Sequence, residues 1–253
     1  MIPDSFTMIQ TLKKIFRKNT QPAPFKERGV VEAYDIWADD YDAQPGNLML
    51  DLDELVFTEL LNTIDIKNKN VADIGCGTGR HWPLIFSKDV ASLTGFDVSH
   101  GMLGKLREKF PSTETYVITD NFFSKIPDNT YDVILSTLTI AHIRNLDEAL
   151  TSWSRLAKDK GEIIITDFHP NALASGGQRT FKHNNTHIAV QNFVHPTDEI
   201  KAILSKNNFR VINEIEKRVD ETVRHYYQVQ NAMHVYEKFK GFPIIYGIHF
   251  RRG

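Results

Sequence analysis

The chain has 253 residues, 41% of them hydrophobic and 25% charged, the balance of a folded globular protein rather than a disordered or fibrous one. Lys and Arg total 30 against 32 Asp and Glu, so no net field draws the molecule onto a polyphosphate backbone, and nucleic acid is not expected as a partner. One cysteine, Cys76, rules out an intramolecular disulfide and a Cys-rich zinc site, and no stretch reaches the roughly 20 apolar residues of a membrane span, so the expected setting is reducing and cytoplasmic.

Phe6, Ile9, Leu12 and Phe16 fall at helical spacing, with Lys13, Lys14, Arg17 and Lys18 gathered where cations favour a helix C-terminus. Residues 1–18 are therefore expected to form a short amphipathic helix. It reads either as a membrane-surface or targeting segment or as a helix docked on the domain; Asp4 and the lack of a cleavable signal pattern favour docking. Pro22 and Pro24 break the pattern and place a linker, so residues 1–24 stand apart from a single domain over 25–253. That domain opens with a helical cap, 25–64, built from helices over about Val30 to Tyr41 and Leu48 to Ile64.

From residue 70 the pattern alternates. Val71 to Ile74, Leu93 to Phe96, Thr115 to Ile118, Val133 to Leu135 and Ile163 to Ile165 read as buried strands, separated by segments long enough for crossover helices. That rhythm predicts a mostly parallel sheet with helices on both faces. Residues 171–195 interrupt it as an inserted lid in which Asn184-Asn185 turns a hairpin. A helix over Thr197 to Lys206, a strand over Phe209 to Ile215, a helix near Tyr226 to Lys240 and a last strand over Ile244 to Phe250 complete the chain.

Val71-Ala72-Asp73-Ile74-Gly75-Cys76-Gly77-Thr78-Gly79 runs a strand into three glycines at alternate positions. Glycine tolerates positive φ and lacks Cβ, so the backbone can turn sharply and a ligand can approach the peptide groups. A nucleotide-type cofactor suits such a turn at the carboxyl end of a strand. The spacing differs from the Gly-x-Gly-x-x-Gly of dinucleotide oxidoreductases, which counts against an NAD enzyme.

With Asp97 lying 22 residues after Gly75, Asp120 ending the third apolar run and Gly161 to Phe168 reading as a fifth strand, the chain resembles the class I S-adenosylmethionine-dependent methyltransferases. Tyr34 to Asp42 resembles the cap helix of the small-molecule branch around the quinone- and biotin-pathway enzymes, also known as methyltransferase type 11. The resemblance implies an α/β, Rossmann-like fold with a seven-stranded, mostly parallel sheet, an N-terminal helical cap and the lid after the fifth strand. It implies S-adenosyl-L-methionine as cofactor, S-adenosyl-L-homocysteine as product, and transfer of a methyl group to a small-molecule acceptor by in-line displacement.

Carried over residue by residue, the resemblance puts Gly75, Cys76, Gly77 and Gly79 under the methionine part of the cofactor, with Asp73 steadying the loop. Asp97 and Val98 would hold ribose and adenine, Met102 would cover an adenine face, and Asp120 with Asn121 would read the adenine edge. Thr137 and Leu138 would lie beside the transferred methyl, and Tyr34 and Tyr41 would close over the sulfonium, where an aromatic face attracts positive charge. Met102, Tyr34 and Tyr41 read equally as packing residues. His142 and His169 follow the fourth and fifth strands, where a base within reach of the acceptor is expected; each also reads as a structural histidine. His183 and His187 with Asp167, His169 and His195 leave a lid metal site open, although a hairpin turn between the first two does not give helical ligand spacing, and no metal is expected. A non-catalytic cofactor-binding protein and a protein or RNA methyltransferase are the alternatives.

Overall fold

A computed structural model describes residues 26–253 except Phe122, Asn185 and Gln230, so the expected helix over 1–18 and the linker at 21–24 lie outside the described residues. Three elements precede the alternating region: β1 (Lys26–Arg28), α1 (Val30–Trp37) and α2 (Leu48–Leu61). The alternation then gives β2 (Asn70–Ile74), α3 (Trp82–Phe86), β3 (Ser92–Asp97), α4 (His100–Lys109), β4 (Glu114–Val117), β5 (Tyr131–Thr137), α5 (Leu146–Leu156) and β6 (Ala157–Phe168). The remainder comprises α6 (Pro170–Ala174), β7 (Thr180–His183), β8 (Thr186–Val190), α7 (Thr197–Lys206), β9 (Phe209–Arg218), α8 (Arg224–Val229), α9 (Met233–Phe239) and β10 (Pro243–Arg252).

The seven-stranded sheet has the order β4-β3-β2-β5-β6-β10-β9, parallel throughout except for β10, which runs antiparallel to both of its neighbours. The expected α/β architecture is what forms. Successive residues of each buried strand point to opposite faces, so each strand feeds two cores. Val71, Val133 and Ile164 join α2 and the Trp82 region on one face, while Ala72, Ile134, Ile163 and Ile165 meet Leu150 and Trp153 of α5 and Ile200 and Leu204 of α7 on the other. From β2 the chain winds outward to β4 and then returns to β5 on the other side of β2, which makes the β2/β5 boundary the topological switch point.

The cap and lid share a third core in which Trp37 stacks on Phe181 with ring centroids 4.5 Å apart and Ala33 and Met102 pack alongside. β7 and β8 form the hairpin expected around Asn184, and β1 adds to β8 in parallel, tying the start of the described chain to the lid. Asp35 of α1 anchors the cap to the sheet: one carboxylate oxygen accepts from Ser99 Oγ (2.6 Å) and Gly101 N (2.9 Å) at the start of α4. An acidic group suits that position, where free N–H groups and the helix dipole favour negative charge.

Three expectations change. The first cap helix ends at Trp37 rather than Tyr41, the chain passing into successive turns in which Asp40 N donates to Trp37 O and Ala43 N to Asp40 O. The helix expected near Tyr226 to Lys240 is two pieces, because Asn231 takes a positive φ of 52°, a conformation asparagine tolerates but a helix cannot continue through. Pro170–Ala174 is a short helix capped by the His169 ring, a turn too brief for periodicity to signal.

One buried polar node joins the layers. Asp53 of α2 is fully buried and accepts from Arg80, from His81 Nε2 at 2.9 Å and from Thr166 of β6. Burial alone would raise its pKa, but the hydrogen bond from His81 and the Arg80 charge outweigh that and hold it at about 2. Removing one member leaves the others unpaired in the interior, so Asp53→Ala is expected to cost about 3–5 kcal/mol in urea unfolding. Because the folded carboxylate is held below its ordinary pKa, its contribution is present above about pH 4 and is lost as pH falls toward 2. The variant should therefore show a flatter stability profile across that window.

Candidate active site

At the switch point β2 ends in the glycine loop. Gly75 takes a φ of 78°, and a Cβ there would collide with the Thr139 side chain just beyond β5, so only glycine lets these two strand ends come so close. Gly75 N and Cys76 N both donate to Phe96 O of β3, at 2.7 and 3.0 Å, which folds the loop back over the sheet edge. Gly77, at a φ of 53°, has nothing within 4 Å of the place a Cβ would occupy.

Asp97, the last residue of β3, is held by that loop. Its Oδ2 accepts from Gly77 N (2.8 Å) and its Oδ1 from Ser99 N (2.9 Å). Burial raises its pKa to about 6 against the opposing effect of these backbone donors. A carboxylate accepts through about four lone-pair positions, and with the Val98 N–H also donating, one is left for a ligand.

A cleft lies above Asp97, and Tyr34, Tyr41, Gly75, Gly77, Asp97, Val98, Met102, Asn121, Thr137, Leu138 and His142 all line it. The remaining expected residues lie elsewhere. Asp73 sits beneath the loop, where burial raises its pKa to about 7 and its Oδ2 accepts from Trp82 Nε1 at 2.8 Å, tying β2 to α3. Cys76 is buried under the loop with its thiol pKa pushed up by burial, and Gly79 packs against Trp82 and Leu106. Asp120 lines a neighbouring pocket beside β4, with Thr115 and Lys125. His169 does not line the cleft; its Nε2 lies 2.9 Å from Glu216 of β9, and its Nδ1 caps α6.

Sequence reasoning missed Arg179, which lines the same cleft from the lid and is only 8% exposed. It completes an ordered chain of hydrogen bonds. The Gln191 carbonyl can only accept, so His142 Nδ1, 3.0 Å away, carries the ring proton; Nε2 then accepts from the Tyr34 hydroxyl at 2.9 Å. The Tyr34 oxygen in turn accepts from Arg179 Nη1 at 3.0 Å. Burial, aided by the Arg179 charge, lowers the His142 pKa to about 4, and burial raises that of Tyr34. Nothing in the sequence marked Arg179, since a lone basic residue after Gly176-Gly177-Gln178 belongs to no motif.

The lid histidines disperse. His183 meets the Asn184 side chain, and His195 Nε2 meets Ile143 O at 2.7 Å. Among the described residues no three His, Cys, Asp or Glu side chains gather as a metal site, and no helix is long and apolar enough to cross a membrane.

A family model for a methyltransferase domain matches residues 50–214, well over half of the chain. The chain belongs to this methyltransferase-domain family. The expectation drawn from the glycine loop and its acidic partners agrees with that membership. The ubiquinone/menaquinone biosynthesis C-methyltransferase of Campylobacter jejuni is 26% identical over 108 residues, 40% of this chain and 46% of that protein. The malonyl-[acyl-carrier protein] O-methyltransferase of Yersinia pestis is 29% identical over 111 residues, 43% and 40% of the two chains. The chain thus spans about half, or less, of the length of the curated relatives it matches. An S-adenosylmethionine-dependent methyltransferase from Mesorhizobium loti shares the fold with a TM-score of 0.57 at 15% identity, over 75% of this chain and 93% of that one.

The hydrogen-bond order around Tyr34 makes a direct prediction. In a histidine-observed NMR titration His142 should remain neutral, with its proton on Nδ1, down to about pH 4. A His142 midpoint near 6.5 would show that the ring is not enclosed in this way.

Proposed function

We propose that the protein transfers the methyl group of S-adenosyl-L-methionine to a small-molecule acceptor, with S-adenosyl-L-homocysteine as the product. The observation that carries this reading is Asp97, whose carboxylate borders the cleft, held at the end of β3 by the backbone N–H groups of Gly77, Ser99 and Val98, and keeps acceptor capacity suited to a ribose hydroxyl. The residues around it fit the rest of such a cofactor. Gly77 offers open backbone and Gly75 a cleft-lining turn for the methionine part, Val98 and Met102 offer apolar surface for adenine, and Asn121 offers a polar edge. Asp73, Cys76 and Gly79 act from below, by holding the loop in shape.

When bound, the cofactor supplies a methyl carbon made strongly electrophilic by its sulfonium, and the sulfur leaves as a neutral thioether without help from an acid. The protein's part is alignment and exclusion of water. Thr137 and Leu138 at the end of β5 and Tyr34 and Tyr41 from the cap bound the space left for an acceptor. A proton released by an acceptor hydroxyl or amine can pass to the Tyr34 oxygen as the Tyr34 proton moves onto His142 Nε2. Because burial makes His142 a weak base and its Nδ1 faces a carbonyl that only accepts, the ring holds the proton briefly and returns it through Tyr34 as the product leaves. The enclosure of the cleft by cap and lid and the relative named for quinone biosynthesis support a small acceptor, and a free buried thiol suits a cytoplasmic setting.

Calorimetric titration with S-adenosylhomocysteine tests the reading, with NAD as the control. Binding of the first and not the second is expected. Asp97→Ala should cost about 1.5–3 kcal/mol, on the order of 10- to 100-fold in affinity, through loss of hydrogen bonds to a charged acceptor. In the unaltered protein, affinity should be flat above about pH 7 and fall below about pH 6 as Asp97 is protonated. An affinity untouched by either change would remove Asp97 from the site and the proposal with it.

A further inference from the structure

Arg179 brings a full positive charge into the cleft, and among the described residues no carboxylate forms an ion pair with it. Its guanidinium is enclosed by the rings of Tyr34, Trp37 and Phe168, each centroid 5.9 Å from Cζ. Its donors reach neutral oxygens: the Tyr34 hydroxyl at 3.0 Å, Leu138 O at 3.3 Å and the Tyr41 hydroxyl at 3.5 Å. The nearby Asp167 is turned to Ala141 N (2.8 Å) and Phe168 N (2.7 Å), and it acts on Arg179 through its charge without a contact ion pair. Buried charges in proteins are ordinarily paired, because desolvation leaves an isolated ion costly. This one has Asp167 within electrostatic reach but no carboxylate in contact, and it borders a cavity.

We propose that Arg179, together with the Tyr41 hydroxyl, forms a subsite for a carboxylate carried by the methyl acceptor. The inference rests on the methyltransferase reading and names the acceptor's chemical class within it. A guanidinium matches the planar, two-oxygen geometry of a carboxylate, and among the described residues no acceptor takes the Tyr41 hydroxyl proton, which is thus free to donate. A carboxylate gives the guanidinium a contact partner while adding a single negative charge beside a neutral His142 and the more distant Asp167. A phosphate dianion would leave its second charge unbalanced in a cleft that already holds Asp97.

Position separates this subsite from the cofactor's own carboxylate. Arg179 belongs to the lid and binds the cap tyrosines, whereas Gly75, Gly77 and Asp97 belong to the sheet side. An acceptor drawn by Arg179 and repelled by Asp97 would enter with its anionic end toward the lid and its reacting end toward Thr137 and Leu138.

Calorimetry on the full chain saturated with S-adenosylhomocysteine tests this, using benzoate, benzamide and phenyl phosphate as probes. Benzoate should bind at least about tenfold more tightly than benzamide and more tightly than phenyl phosphate, and Arg179→Gln should weaken benzoate by about tenfold or more. Arg179→Lys, which keeps the charge if the glutamine variant does not fold, should retain part of the affinity. Equal binding of benzoate and benzamide, no binding of benzoate, or preference for phenyl phosphate would overturn the proposal.

A second arm compares S-adenosylhomocysteine with 5′-methylthioadenosine, which lacks the amino-acid carboxylate. Both should be affected equally, and little, by Arg179→Gln. Loss confined to S-adenosylhomocysteine would assign Arg179 to the cofactor and overturn the acceptor subsite. Failure of the unaltered protein to bind S-adenosylhomocysteine at all would instead bring down the underlying methyltransferase reading.

Discussion

The site depends on how closely two strand ends approach at the switch point of the sheet. β2 and β5 are hydrogen-bonded neighbours whose chains leave in opposite directions, and a crevice opens where they part. Gly75 lets the backbone turn against Thr139 with no Cβ between them, and the same turn delivers Gly77 N to the Asp97 carboxylate. Asp73 supports this from below by holding the Trp82 indole. Loop, carboxylate and support are therefore one unit, and its shape is set by backbone sterics before any ligand is considered.

Above that unit the cap and lid act as one body. Trp37 stacks on Phe181, β1 pairs with β8, and the hydrogen-bond chain from Arg179 through Tyr34 to His142 and the Gln191 carbonyl crosses between cap, sheet end and lid. Enclosure shifts the chemistry of the acidic and basic groups at its two ends. Burial lowers the pKa of His142 and raises that of Asp97, while Arg179 stays cationic, so the two sides of the cleft carry opposite fixed charges. A cleft polarised in this manner sorts ligands by the placement of their charge as well as by size.

The sheet was legible from the sequence because buried parallel strands read as apolar runs wherever they lie. Val71 to Ile74 and Ile163 to Ile165 needed no knowledge of their neighbours. The glycine loop and Asp97 were legible for a related reason: they are separated by a single crossover, so their spacing in sequence reflects their spacing in space. His169 and His142 looked alike as strand-end histidines, yet the register of β9 beside β10 brings Glu216 to the first, and the lid brings Gln191 to the second. Helix ends escaped as well. The positive φ of Asn231 divides a stretch that periodicity reads as continuous.

By itself the sequence determined the alternating α/β pattern, the turn at Gly75 to Gly79 and the acidic residue waiting at the end of the next strand, because each is a local property of backbone and side chain. Tertiary structure alone decided the status of Arg179, the tautomer of His142 and the four-way contact at Asp53. Those depend on residues tens to more than a hundred positions apart being desolvated together. The energy of a buried charge is fixed by what surrounds it, and no spacing along the chain encodes that.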